Sequence, residues 1–184
     1  MRRVIILHVK HWDAKRGFEI RGAVAGVATL AALAGAAVIL AVLWAPRATN
    51  YTNYPYRFAV TLPAGLKAVV MPYQDGDPGT QTYLFEDQAG EGVQLMIWPY
   101  TDAPEISQSD IEQTGLTISD VAPLTFAGVP GYEASGYTFK SDNPAFDGAS
   151  SDAWFVYRGS LYQLSTYAHD GALLKRLLAS WTFF

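Results

Sequence analysis

The chain has 184 residues, half of them apolar, and a formal net charge of −4. This length fits one ordinary domain with an appendage, and the absence of cysteine excludes disulfides, a lipoprotein anchor and a thiolate zinc site. Residues 1–46 carry six basic and two acidic groups, for +4, whereas residues 47–184 carry seven basic and fifteen acidic groups, for −8. The acidic C-terminal part argues against nucleic acid or an anionic lipid surface as its target.

The N-terminal part of the chain has the pattern of a membrane anchor. Residues 1–21 form a short basic segment, which we interpret as an interfacial segment or a disordered tail. Residues 22–45 contain no charged side chain, and as a helix they would be about 36 Å long, enough to cross a hydrocarbon core of ~30 Å. They predict a transmembrane helix, through which the chain contacts the lipid bilayer.

The charges around this segment predict its orientation. Basic residues precede it, so the positive-inside rule predicts a cytoplasmic N-terminus and an extracytoplasmic C-terminal domain. Cleavage as a signal peptide is disfavoured, because for a cut after Ala45 Leu43 stands where a small residue is needed and Pro46 directly follows the cut. We therefore expect a single-pass protein of the cell membrane with an uncleaved signal anchor.

Small residues recur at every fourth position within residues 22–45. They are Gly22 and Gly26, followed by Ala28, Ala32 and Ala36. This spacing places small side chains on one helix face, where two membrane helices can approach closely. It predicts a weak homodimer through the transmembrane helix, unless the spacing arises by chance in an alanine-rich anchor.

Beyond the anchor, the hydrophobic pattern changes to the period of two that is typical of strands. Residues 46–55 are interpreted as a polar linker, and residues 56–184 as an extracytoplasmic α+β domain. Turn residues separate the apolar runs. Strands are predicted at 56–62, 67–73, 80–86, 92–100, 121–126 and 132–140, followed by a hairpin within 154–170.

Two helices are predicted among these strands. Ser109 and Glu112 fit the N-cap and N3 positions of a capping box. Asp170 is the expected N-cap of a helix over 171–181, whose leucines lie on one face. Hairpins with few helices indicate an α+β fold with a largely antiparallel sheet packed with helices.

The stretch WFVYRGSLYQLSTYAHD, residues 154–170, is dense in aromatic side chains. We predict a hairpin with Gly159 and Ser160 in a type II′ turn. One face of this hairpin then carries Phe155, Tyr157, Tyr162 and Leu164. We expect that face to pack against the C-terminal helix, and the opposite face to be covered by a helix or a long loop. Core packing explains most of these rings; the alternative is that tyrosine hydroxyls at the rim line a pocket.

Motifs for catalysis are missing from the sequence. His169 is the only histidine of residues 47–184, and its position beside Asp170 at a helix start predicts an exposed side chain. The chain has no G-x-S-x-G motif and no phosphate-binding glycine loop. We therefore assign no catalytic, cofactor-binding or metal-binding residue.

Loop carboxylates are the remaining candidates for chemistry. Asp75 and Asp77 form one group, and Asp142, Asp147 and Asp152 form another in the polar stretch 141–153. Neither group has the spacing of an EF-hand. We interpret them as solvated loop acids, and keep as an alternative a hydrolase whose site is assembled from the carboxylates of residues 142–152.

Three stretches carry a family resemblance. They are YRFAVTLPAG at 56–65, FAGVPGYE at 126–133, and 154–167 followed by an apolar helix and the terminal Phe183-Phe184. With them, residues 51–184 resemble the Mog1/PsbP-like α/β/α sandwich family, including its membrane-anchored bacterial members. The resemblance implies a curved antiparallel sheet between helices and an accessory or binding role rather than catalysis. It transfers no catalytic residue.

A pilin-like subunit is a second alternative. Lys15 to Phe18 looks like a prepilin processing site, but Gly22 stands where such a site needs glutamate, and Pro46 ends the helix early. The favoured hypothesis is a single-pass, membrane-anchored, non-enzymatic domain. It would bind a protein or a small-molecule ligand outside the cytoplasm.

Overall fold

The computed structural model describes residues 47–71, 79–101 and 103–184. The basic segment 1–21 and the predicted transmembrane helix 22–45 lie outside the described residues. Among the helices that are described, none is long and apolar enough to cross a membrane.

The described chain is built mainly of strands. They are β1 Thr49–Asn53, β2 Phe58–Leu62, β3 Lys67–Val70, β4 Gln81–Glu86, β5 Gly92–Pro99, β6 Ile118–Ala127, β7 Glu133–Ser141, β8 Ser150–Tyr157, β9 Ser160–Tyr167 and β10 Thr182–Phe183. The helices are α1 Gln108–Glu112 and α2 Gly171–Ala179, with single 3-10 turns at Pro144–Phe146 and Ala168–Asp170.

The strands form two antiparallel sheets. The larger has seven strands in the order β3-β4-β5-β9-β8-β7-β6, and the smaller has three in the order β1-β2-β10. Neighbouring strands pair antiparallel in both. The predicted α+β class with a mainly antiparallel sheet is therefore confirmed.

The main core lies on the face of the large sheet that meets α2 and β2. Phe155 and Tyr162 stack at 5.2 Å between ring centroids, and Phe58 of β2 stacks on Trp181 at 4.4 Å. Leu177 of α2 is fully buried in the same cluster. This is the face that the alternation of residues 154–167 assigned to the C-terminal helix, so that prediction is confirmed.

A second core covers the opposite face. Trp154 and Leu161 from the β8–β9 hairpin pack with Ile106 and Ile111, which belong to the segment that includes α1. The predicted cover by a helix or long loop is thus present. The cap of α1 is Ser107, whose hydroxyl accepts from the backbone N–H of Asp110 at 3.2 Å. The predicted capping box was therefore placed two residues too late.

The smaller sheet corrects the interpretation of residues 46–55 as a linker. β1 lies inside that stretch and pairs with β2 over its whole length, and the Tyr51 ring packs 5.6 Å from Phe85. Threonine and tyrosine favour strands, but TNYTN shows no clear apolar alternation, because the residues that face inward are Tyr51 and the polar Asn53. Residues 49–53 therefore belong to the folded domain.

The turn between β8 and β9 also differs from the prediction. Tyr157 pairs with Ser160, so the loop residues are Arg158 and Gly159, with φ of 49° and 75°. Two positive φ values define a type I′ turn, whose twist matches that of the flanking strands. The predicted type II′ turn was wrong, because the two-residue loop begins one residue earlier than expected. The predicted faces of the hairpin were correct, because the strand pairing shifts by two residues and each side chain therefore stays on the same side of the sheet.

Candidate functional site

A cleft of about 650 Å³ opens beside the β8–β9 turn. We call it the turn cleft. Its lining residues are Pro55, Tyr56, Arg57, Tyr132, Tyr157, Arg158, Gly159, Ser160 and Tyr162. Three segments meet there: the connection between β1 and β2, the end of the β6–β7 connection, and the β8–β9 hairpin.

One wall of the turn cleft is formed by the Arg158 side chain, which stacks on two tyrosine rings. The Arg158 guanidinium carbon lies 4.2 Å from the ring centroid of Tyr132 and 5.5 Å from that of Tyr157. Such contacts are attractive because the ring face is electron-rich. Tyr132 is 51 % exposed and Arg158 is itself exposed, so the rings position Arg158 while its donors stay near solvent.

The β1–β2 connection forms another wall of the turn cleft. The Arg57 N–H donates to Tyr54 O at 3.3 Å, and the Arg57 carbonyl accepts from the N–H of Phe184 at 3.1 Å. The Asn53 side chain accepts from the N–H of Tyr56 at 3.0 Å. These bonds fix the backbone of Arg57, whose φ is 56°.

The floor of the turn cleft contains two buried tyrosines with different hydrogen bonding. The Tyr162 hydroxyl donates to Tyr56 O at 2.9 Å, and burial raises the pKa of Tyr162 well above its ordinary value. Tyr157 is 1 % exposed and stacks on Phe183 at 3.8 Å. Its hydroxyl is buried without a hydrogen-bond partner among the residues that the structure describes. An unpaired buried hydroxyl is costly, so it needs an explanation.

The turn cleft is cationic on an acidic domain. Arg57 and Arg158 line it, and no carboxylate does among the described residues. The ion pairs found in the described parts of the chain involve Lys140 with Asp120 and His169 with Asp170, so neither arginine is neutralised by one. Aromatic rings beside free guanidinium groups are suited to an anionic ligand.

The loop carboxylates singled out in the sequence do not converge. Asp142 is exposed and accepts from the N–H of Thr117 at 2.8 Å, which lowers its pKa. Asp147 is exposed, whereas Asp152 lies in β8 and is 1 % exposed. The prediction of Asp152 as a solvated loop acid was wrong, because β8 begins at Ser150 rather than Trp154. Asp75 and Asp77 lie outside the described residues.

Asp152 is held by three serine hydroxyls. Ser150 and Ser165 donate to its carboxylate at 2.6 Å each, and Ser141 donates at 2.9 Å. Burial raises the pKa of Asp152, and these hydrogen bonds offset part of the effect. The cluster is internally satisfied, which indicates a structural polar network. In the residues described, no group of three or more His, Asp or Glu side chains is placed to hold a metal.

His169 is exposed, as predicted. Its ring stacks on Tyr167 at 5.6 Å, and its Nε2 lies 3.7 Å from the carboxylate of Asp170. Asp170 precedes α2 as expected, but its side chain makes no capping hydrogen bond.

No family model and no curated protein matches this chain. Among solved structures, it is similar to the solution structure of cyanobacterial PsbP (CyanoP) from Synechocystis sp. PCC 6803, with a TM-score of 0.46 and 12 % identity over 76 % of this chain and 94 % of that one. This is a distant likeness of fold, and it transfers no residue role.

Proposed function

We propose that this protein is a single-pass membrane protein whose extracytoplasmic domain is a non-enzymatic binding module, with the turn cleft as its binding site. The observation that supports this site is the Tyr157 hydroxyl, which is buried in the lining of the turn cleft without a hydrogen-bond partner among the described residues. A ligand that accepts a hydrogen bond would satisfy it.

The shape of the turn cleft fits this role. Its volume of about 650 Å³ falls in the range of ~300–1,000 Å³ that is typical of small-molecule sites. Its walls are fixed by backbone hydrogen bonds at Arg57 and by ring stacking at Arg158. A preformed site of this kind loses little conformational entropy when it binds.

The charge pattern supports an extracytoplasmic location of the domain. The uncharged residues 22–45 would anchor it in the bilayer, and the basic residues before them would hold the N-terminus in the cytoplasm. The stretches at 56–65, 126–133 and 154–167 support a place in the Mog1/PsbP-like family, and the uncharged residues 22–45 support its membrane-anchored type. Self-association through residues 22–45 is part of the same proposal.

Photo-crosslinking in cells tests the binding role. The full chain is produced in its host with a photoreactive phenylalanine analogue at Tyr132, beside Arg158, or at Tyr137, which packs against the second core. After irradiation, intact-mass spectrometry of the purified chain should show an adduct for the Tyr132 position and none for the Tyr137 position. Equal adducts at both positions, or none at either, would contradict the proposal.

A further inference from the structure

We infer that the turn cleft recognises a small organic anion, a carboxylate or phosphate group carried on a flat apolar body. This inference rests on the proposed binding function and adds the chemical class of the ligand. It follows from four properties of the cleft: its cation, its unpaired donor, its backbone strain and its exposed ring.

The cation is Arg158. Its guanidinium is planar and offers several N–H donors in a fork that matches the two oxygens of a carboxylate or phosphate. Stacking on Tyr132 at 4.2 Å limits its motion, so less entropy is lost when an anion binds. Because no described carboxylate forms an ion pair with Arg158, its charge is free for a ligand.

The unpaired donor is the Tyr157 hydroxyl. The Arg158 guanidinium lies 5.5 Å from the ring centroid of Tyr157, and the hydroxyl itself is buried, so a ligand group held by Arg158 reaches the hydroxyl by entering the floor of the turn cleft. Tyr162, by contrast, already donates its proton to Tyr56 O at 2.9 Å. An oxyanion accepts hydrogen bonds without donating any, and it therefore pairs with both the guanidinium and the free hydroxyl.

The backbone of the turn gives independent support. Arg158 adopts φ 49° and is followed by Gly159, a turn in which asparagine is strongly favoured at the first position. A left-handed conformation costs an arginine free energy that asparagine largely avoids. Strained backbone positions of this kind cluster at functional sites.

The apolar body of the ligand is inferred from the rings. Tyr132 is 51 % exposed, although its ring also carries the Arg158 contact. Pro55 and Tyr56 line the other wall. Flat rings gain affinity by stacking on such surfaces.

Calorimetry on the full chain in nanodiscs of zwitterionic lipid, with empty nanodiscs as reference, tests the inference. The probes are 1-naphthoate, 1-naphthyl phosphate and the uncharged 1-naphthamide. At least one of the two anions should bind, and the amide should bind at least about tenfold more weakly, because it lacks the charge that strengthens hydrogen bonds to arginine. Which anion binds more tightly distinguishes carboxylate from phosphate as the natural group.

Two variants assign the binding to the turn cleft. Arg158→Asn removes the guanidinium while it suits the turn, and Tyr157→Phe removes only the hydroxyl. Each should weaken anion binding, by about tenfold or more and about fivefold or more respectively. The controls Lys175→Gln, on an exposed position of α2, and Tyr137→Phe should leave it unchanged.

The possible results separate this inference from the proposed function. If neither anion binds, or if naphthamide binds equally well, the anion assignment is overturned, while an adduct at Tyr132 would still support a binding site for another class of ligand. If the anions bind equally to Arg158→Asn, they bind elsewhere, and the inference is also overturned. Absence of the Tyr132 adduct contradicts the proposed function itself.

Discussion

The Ser165 hydroxyl lies 2.6 Å from a carboxylate oxygen of Asp152, and β8 and β9 pair these two residues directly. Both are buried, at 9 % and 1 % exposure. A buried carboxylate is expensive unless hydrogen bonds compensate for its lost hydration. Here three serine hydroxyls offset part of that cost, and because burial outweighs them the pKa of Asp152 is raised, so the charged form is less favoured than it is in water.

The first prediction concerns the pH dependence that Asp152 imparts. Burial raises its pKa in the folded protein above the ordinary 3.8, so the folded state binds this proton more tightly than the unfolded state. The contribution of Asp152 to the free energy of unfolding is therefore largest below about pH 4, and it is lost as the pH rises through the pKa of the folded state. Urea unfolding of the wild type and of Asp152→Asn should give a stability difference, wild type minus variant, that falls over this range.

Comparison with Asp152→Asn cancels the contributions that other carboxyl groups make to the pH dependence of stability. Hydrogen bonds lower the pKa values of Asp110 and Asp142. Their contributions to the free energy of unfolding therefore decrease as the pH falls, by the same amount in the wild type and in Asp152→Asn. Asp152→Ala leaves three serine hydroxyls without their acceptor and should cost about 2–4 kcal/mol. A difference between wild type and Asp152→Asn that stays flat from pH 3 to 8 would refute the assignment.

The second prediction concerns Gly136, where β7 lies close against β8. A Cβ on Gly136 would lie 1.9 Å from the backbone oxygen of Trp154 and 2.5 Å from the Cα of Phe155. Backbone cannot move aside as a flexible side chain can, so Gly136→Ala should destabilise the fold by about 3 kcal/mol or more. The matched control Thr138→Ala, two residues along the same strand, should cost less than ~1 kcal/mol. Similar urea midpoints for the two variants would contradict this register.

The alternation of apolar and polar residues predicted much of this fold, because it shows which side chains lie on the same face of a strand. The β8–β9 hairpin has its predicted faces although its turn was misplaced, because Phe155 and Tyr162 keep the same parity in either register. The same pattern does not show which other segments pack against the large sheet. β1 and β10 add the smaller sheet through short segments, and β10 has only two residues, too few to show a period.

The candidate site was only partly predictable. Tyrosines at the hairpin rim were foreseen as a possible pocket lining, and Tyr157 and Tyr162 do line the turn cleft. Arg57 and Tyr132 come from distant parts of the chain, and no local pattern brings them together. Asp152 was misjudged because serine, aspartate and glycine are typical of loops, whereas the correct hairpin register places Asp152 opposite Ser165.

The third prediction is that two variants at the turn cleft do not lower stability. Arg158→Asn relieves a left-handed conformation that costs an arginine about 1–2 kcal/mol, and loses a cation–π contact worth about 0.5–1 kcal/mol. Tyr157→Phe removes a buried hydroxyl that has no partner among the described residues. Urea midpoints at or above that of the wild type are expected for both; a clear fall for either would mean that its side chain stabilises the fold in a way that the structure does not show.

The fourth prediction concerns the position of the chain in the membrane. The chain has no cysteine, so single-cysteine variants give an unambiguous signal with a membrane-impermeant maleimide. Ala172→Cys, on an exposed position of α2, should be labelled in intact cells, whereas Ala14→Cys should be labelled only after permeabilisation. The reverse pattern, or labelling of neither residue before lysis, would contradict an extracytoplasmic domain.

The fifth prediction links β10 to the turn cleft. Phe183 is 7 % exposed, pairs with Phe58 across the smaller sheet, and stacks on Tyr157 at 3.8 Å. Phe183→Ala should therefore cost about 3–5 kcal/mol of stability, as expected for a truncated core phenylalanine. It should also weaken 1-naphthoate binding, because the Tyr157 ring loses the surface that holds it in place.

Phe183→Leu separates these two effects. It keeps most of the apolar volume, so its cost should be under about 1.5 kcal/mol, but a leucine cannot stack on the Tyr157 ring. Binding of 1-naphthoate by this variant should therefore fall more than its urea midpoint does. If Phe183→Leu binds the probe as the wild type does, stacking is not what positions Tyr157, and β10 contributes to the turn cleft only by stabilising the fold.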